Sequence, residues 1–227
     1  MKMKLKDMVR FGINLIFALL PVTSSMWYLI VQRSFKAYVL NDFLYKGPNM
    51  RNSLVGVLTR FRTYMCALIS DIRKLYYQCV VKSEHQNFLR FLWYEDNDFT
   101  KPIKKNKMTR LSFGLLPAQS AALYCLEKAL FDNATDATLS TILTALKSFY
   151  VDDGLFSFPS ESDLILFFKE IVPLLSSRGF PLTICFTTSD ELKKIIPMAD
   201  LLPTKTLKFK DECCVQNTLG MTWEFKR

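Results

Sequence analysis

Apolar and polar positions alternate along this chain with a period that changes every ten to fifteen residues, roughly. Ser53 to Arg62 has helical spacing, with Leu54, Val57, Leu58 and Phe61 on one face. Ala67-Leu68-Ile69-Ser70-Asp71-Ile72 is a strand-like apolar run that meets a carboxylate. Cys79-Val80-Val81 reads as a resumed strand, and Phe88 to Tyr94 as an aromatic core strand. Ala118 to Phe131 and Thr138 to Lys147 both repeat apolar residues at helical intervals. Ser160 and Asp163 form a capping-box pattern ahead of the stripe Leu164, Phe167, Phe168, Ile171 and Leu174, and Gly179 closes that helix. Phe180 to Phe186 predicts a strand, and Ser189 caps a short helix that stops at Pro197. Two alternating stretches, Lys205 to Lys210 and Leu219 to Phe225, predict a terminal hairpin.

The stretch Ser148-Phe149-Tyr150-Val151-Asp152-Asp153-Gly154-Leu155-Phe156 has apolar residues on both sides of paired carboxylates. Phe149, Tyr150 and Val151 favour a strand, and Asp-Gly is a turn signal, so the local pattern predicts a hairpin. Helices interleaved with antiparallel strands argue for an α+β fold. No glycine-rich loop precedes a helix, which excludes the usual dinucleotide and P-loop signatures.

Composition changes this picture in three places. Phe11 to Val31 is an uncharged run of 21 residues behind a basic start, long enough to cross a bilayer as a helix. It would suit a signal anchor, but Asn14, Pro21, Thr23, Ser24 and Ser25 interrupt it, and a buried helix or an irregular extension are the alternatives. Mean hydropathy of +0.12 keeps the membrane in view. The net charge of +9 favours anionic partners, although residues 1–36 hold six basic side chains against one acidic. Lys101 to Arg110 carries Lys101, Lys104, Lys105, Lys107 and Arg110 with no acid, which reads as a solvated loop or a phosphate-contacting one. Six cysteines without Cys-x-x-Cys spacing and a single histidine, His85, argue against a Cys/His zinc site and against histidine-based nucleophilic catalysis.

What remains is carboxylate chemistry. Two strands that bring Asp71 and Asp152-Asp153 to one sheet edge would make a site for hard, oxygen-seeking cations. Asp71-Ile72-Arg73-Lys74-Leu75-Tyr76-Tyr77-Gln78 and Tyr150-Val151-Asp152-Asp153, with Asp71 and Asp152 81 residues apart, together resemble a reverse transcriptase palm. The resemblance narrows to LTR retrotransposons of the BEL/Pao type and covers about residues 40–224. Its supporting stretches are Leu40 to Asn49, Asn52 to Arg62, Phe88 to Tyr94, Phe113-Gly114, Arg178 to Thr183 and Leu219 to Trp223.

The resemblance implies a truncated right-hand polymerase fold, a palm with partial fingers over residues 40–224, preceded by an unrelated basic and hydrophobic extension at 1–36. It implies an RNA-directed DNA polymerase in which Asp71, Asp152 and Asp153, with the Ile72 carbonyl, hold two Mg²⁺ ions, Mn²⁺ being able to substitute. Tyr76 and Gln119 would contact the incoming nucleotide, and Tyr150, Gly220 and Trp223 the primer. Partners would be an RNA or DNA template, a primer and dNTP, with no small-molecule cofactor. The compartment would be intracellular, cytoplasm or nucleus, with membrane contact through residues 11–31 if that run is an anchor. The chain departs from the family at Ala118-Gln119 and at Ile184-Cys185, where a Lys-Trp pair is usual. A catalytically silent, transposon-derived module that binds nucleic acid or a membrane is the alternative reading.

Overall fold

The computed structural model describes residues 18–23, 26–30, 39–132, 134–135, 138–202, 205–208, 212–219 and 221–226. In chain order the elements are β1 (Ala18–Thr23), β2 (Met26–Ile30), α1 (Leu54–Phe61), β3 (Cys66–Ile72), α2 (Leu75–Gln78), α3 (Ser83–Gln86), β4 (Arg90–Tyr94), β5 (Ile103–Lys107) and α4 (Ala118–Phe131). Then follow α5 (Leu139–Ser148), β6 (Phe149–Tyr150), β7 (Asp153–Phe158), α6 (Glu161–Ser176), β8 (Leu182–Thr187), α7 (Asp190–Ile195), β9 (Lys205–Lys208), β10 (Glu212–Thr218) and β11 (Met221–Lys226). The chain divides into two compact units, Met1–Asn49 with Tyr76–Ala122, and Met50–Leu75 with Leu123–Arg227.

In the first unit, β1 and β2 pair antiparallel. The described part of the 11–31 run is therefore strand rather than helix. Pro21 is tolerated poorly inside a helix, while Val22, Thr23, Trp27, Tyr28 and Ile30 favour extended backbone. Residues 11–17 and 31–36 lie outside the described residues. Among the described residues, no helix is long and apolar enough to cross a membrane.

The predicted strand at Cys79–Val81 shrinks to a single bridge, Val80 to Arg110. The lysine-rich segment is not a loop. It forms β5 and pairs with β4 from Arg90↔Lys107 to Tyr94↔Ile103. β4 is half-exposed along its length, so it is a ribbon strand and not a core strand. Pairing with an aromatic neighbour overrides the low strand propensity of lysine. Asn41 ties the preceding loop to this unit, donating to the Gly114 carbonyl at 2.8 Å and accepting from the Leu116 N–H at 2.8 Å. Gly47 has φ +77, and a Cβ there would meet the Ser120 Cβ at 2.9 Å, so glycine is required at that turn.

In the second unit a four-stranded antiparallel sheet has the order β6-β7-β3-β8. Its central strand β3 is covered on both faces, which explains its nearly unbroken apolar run. Ala67 and Ile69 join Val57 and Phe61 of α1, Leu155, Phe186 and Trp223 in one cluster. Leu68 pairs with Phe156 and so shares its face, and the Phe156 ring packs against Phe167 of α6 at 4.7 Å. The expected caps form, Ser160 accepting from Asp163 and Ser189 from Leu192, and Ser53 caps α1 by accepting from Gly56. Gly179 takes φ +82 beyond the end of α6. The chain closes as a three-stranded sheet, β11-β10-β9, rather than a hairpin. The intervening Glu212–Thr218 supplies the middle strand.

Candidate active site

The site is built where β3 runs alongside the β6–β7 hairpin. The hairpin turn is not the Asp-Gly pair. Tyr150 pairs with Asp153 and Phe149 with Gly154, so Val151 and Asp152 are the turn and Gly154 lies in the strand. Packing decides this. A Cβ on Gly154 would lie 2.6 Å from the Phe156 ring and 2.9 Å from the Phe149 ring, so this strand position must be glycine. Val151 then takes the left-handed region at φ 61, an uncommon conformation for a β-branched residue that costs about 1–2 kcal/mol. The Ile72 N–H donates to the Asp152 carbonyl at 2.9 Å and pins the turn to β3.

This register has a chemical consequence. Asp153 now starts β7 directly opposite Asp71. Paired antiparallel residues share a face, so the two carboxylates stand side by side, with Asp152 in the adjoining turn. Burial, then the charges of Asp152 and Asp153, push Asp71 up from 3.8 to about 7. Burial likewise raises Asp152. Burial and the neighbouring Asp152 charge raise Asp153, partly offset by the Thr218 hydroxyl, which donates to its Oδ1 at 3.4 Å. Three half-buried carboxylates thus concentrate negative charge that the surrounding protein leaves uncompensated.

Such a set offers hard oxygen donors, the chemistry that divalent magnesium or manganese prefers. Among the described residues, no group of three or more Asp, Glu, His or Cys side chains is gathered so that it could hold a metal ion. The donor chemistry of the three carboxylates fits a divalent cation, but as they stand they do not form a metal-holding group.

The other candidate residues are placed as follows. Ile72 is fully buried by its side chain, with its backbone held in the sheet between Asp152 and Leu182. Tyr150 is half-buried against the core cluster that holds Leu155 and Trp223. Trp223, expected as a primer contact, is 7% exposed. Its ring meets Phe61 edge-on at 4.9 Å, and the Arg62 guanidinium covers it at 5.4 Å. That environment makes it a core residue that holds β11 to α1. Gly220 lies outside the described residues. In the first unit, Tyr76 on α2 packs its ring on Phe113 at 4.3 Å, and Gln119 sits half-buried in the first turn of α4.

Two contributors escape a sequence reading. Asn52 donates its amide to the Leu146 carbonyl at 2.6 Å and the Phe149 carbonyl at 2.8 Å, fixing the entry to the hairpin. Thr218 reaches Asp153 from 65 residues away. Thr218 sits in no quoted motif, and Asn52 opens the Asn52 to Arg62 stretch of the resemblance without that stretch giving its side chain a role.

No protein-family model matches the chain, and a search of curated proteins finds no match either. Solved structures do match. The foamy viral protease-reverse transcriptase in complex with dsDNA superposes with a TM-score of 0.52 and 18% identity, covering 92% of this chain and 38% of that one. The foamy viral protease-reverse transcriptase dRH in complex with dsDNA gives 0.52 and 17% over 78% of this chain and 28% of that one. The foamy viral protease-reverse transcriptase in complex with an RNA/DNA hybrid gives 0.52 and 17% over 78% and 22%. The chain therefore spans between 22% and 38% of the length of these structures. At such identities the likeness is one of fold, and the fold is α+β and reverse-transcriptase-like.

Proposed function

We propose that this chain is the nucleotidyl-transfer part of an RNA-directed DNA polymerase from a BEL/Pao-type LTR retrotransposon. Residues 40–224 form its palm with partial fingers, behind an unrelated basic and hydrophobic extension at 1–36. The observation that carries the reading is the pairing of Asp71 with Asp153, beside Asp152, on one sheet. The Asp71, Asp152 and Asp153 carboxylates and the Ile72 carbonyl would hold two magnesium ions, which when bound neutralise charge on the transferred phosphoryl and acidify the primer hydroxyl. The protein's own part is positional. The Ile72–Asp152 backbone bond holds the turn against β3, and the Asn52 bonds fix the backbone that enters the hairpin, so that the carboxylates are held in place by the backbone around them. Tyr76 and Gln119 are proposed to contact the incoming dNTP, and Tyr150 the primer end. Template and primer, RNA or DNA, are the macromolecular partners.

The open arrangement of the carboxylates favours a second reading, a catalytically silent module that retains nucleic-acid binding. Primer extension on an RNA template with dNTP and Mg²⁺ separates them. The polymerase reading expects extension by the parent and none by Asp152→Asn. Absence of extension in both chains would leave the silent module standing.

A further inference from the structure

The β4–β5 ribbon belongs to the first unit and is remote in sequence from the carboxylates. Its register places Arg90 opposite Lys107 and Leu92 opposite Lys105. Directly paired residues and alternate positions along a strand share a face. Arg90, Lys105 and Lys107 therefore crowd one face of a two-stranded ribbon. Like charges opposite each other destabilise a ladder, and nothing in the core requires them, since all of β5 is exposed.

The other charges of the ribbon are accounted for. Lys104 lies on the opposite face and is ion-paired to Glu95, and Lys101 is ion-paired to Asp96 at 2.7 Å. Asp98 at the tip accepts from the Thr100 N–H and hydroxyl. Among the described residues, Lys105 and Lys107 have no acidic partner. With Arg90, Phe91 and Asn106 they line a shallow groove. Two strand positions place Lys105 and Lys107 about 7 Å apart, which is close to the spacing of neighbouring phosphates on an extended nucleic-acid strand.

We propose that this face is a docking surface for the phosphate backbone of single-stranded nucleic acid. Charge complementarity selects the occupant: Lys105 and Lys107, unmatched by acid along an extended ribbon, fit a linear polyanion. Half-buried Tyr94, beside Ile103 on the same face, adds apolar surface at one end of the row.

The test is fluorescence anisotropy of the full chain with a labelled single-stranded RNA, in EDTA and without dNTP, over a range of salt concentrations. Because neither metal nor nucleotide is present, the result is independent of polymerase activity: an inactive chain can support the proposal and an active one can fail it. Replacing both lysines, Lys105→Gln with Lys107→Gln, is expected to weaken binding about tenfold at low salt and to reduce the slope of log K against log salt by about 1.4. Lys105→Arg with Lys107→Arg is expected to keep parental slope and affinity, and so is Lys101→Gln, whose charge is already matched. An unchanged slope in the double glutamine variant would overturn the proposal. So would an equal loss from Lys101→Gln, which would mean net charge alone matters. Loss of binding to phosphatidylserine vesicles with RNA affinity intact would assign the face to a membrane instead.

Discussion

Replacing Asp71 by asparagine is expected to stabilise the metal-free chain while abolishing primer extension. The folded environment raises the Asp71 pKa from 3.8 to about 7, so the folded chain holds this proton more tightly than the unfolded one. The resulting penalty is absent below the unfolded value, grows as pH rises, and is complete above about pH 7. A shift of that size corresponds to about 4 kcal/mol for a fully sheltered group. Partial solvent access at the sheet end screens it, leaving roughly 2 kcal/mol. Asparagine keeps the shape and removes the charge. At pH 8 in EDTA, Asp71→Asn is therefore expected to melt roughly 4–8 °C above the parent. At pH 4 the two chains are expected to melt together. Added Mg²⁺ is expected to raise the melting temperature of the parent and to raise that of the variant less. Thermal and urea denaturation at both pH values measure this. A variant that melts below the parent at pH 8, or a difference independent of pH, would refute the electrostatic argument.

Further expectations follow from packing and backbone geometry. Gly154→Ala drives a methyl into the Phe149 and Phe156 rings and is expected to cost about 1–3 kcal/mol in urea unfolding. Val151→Gly releases the left-handed strain in the turn and is expected to raise stability by roughly 1 kcal/mol, read in the same assay. Trp223→Phe is expected to preserve both the fold and primer extension, because the buried indole N–H has no hydrogen-bond partner among the described residues. Trp223→Ala is expected to cost about 3–5 kcal/mol, and loss of extension in the folded phenylalanine variant would restore a primer-contact role. Asn52→Ala strands the Leu146 and Phe149 carbonyls and is expected to cost about 1–3 kcal/mol by chemical denaturation.

Elements whose sequence pattern matched their own burial were legible in advance. α1, α4, α5 and α6 show apolar spacing because one face of each meets a core, and Ser160 and Ser189 announce their caps locally. The lysine-rich β5 was not legible, because within Ile103–Lys107 only Ile103 favours a strand and β4 supplies the hydrogen-bonding partner for the rest. The same holds for Glu212–Thr218, which becomes a strand between two others. The alternation put Trp223 on one apolar face with Leu219, Met221 and Phe225, and the family resemblance implied a primer contact, but neither could show that Phe61 and Arg62, far away in sequence, enclose it.

The sequence by itself singled out the side chains that the proposed chemistry would use. With one histidine and no cysteine motif, hard-donor carboxylates were the candidates left, and the apolar runs around Asp71 and Asp152-Asp153 put them at strand ends. Tertiary structure alone decided how they meet. The Asp-Gly pair announced a turn, but the Phe149 and Phe156 rings leave no room for a side chain at Gly154, so that glycine is drawn into the strand. The turn moves back onto Val151 and Asp152, and Asp153 comes into register with Asp71. A turn signal is a local backbone preference, whereas register is settled by the long-range packing of a buried face, and here packing outweighs the local preference.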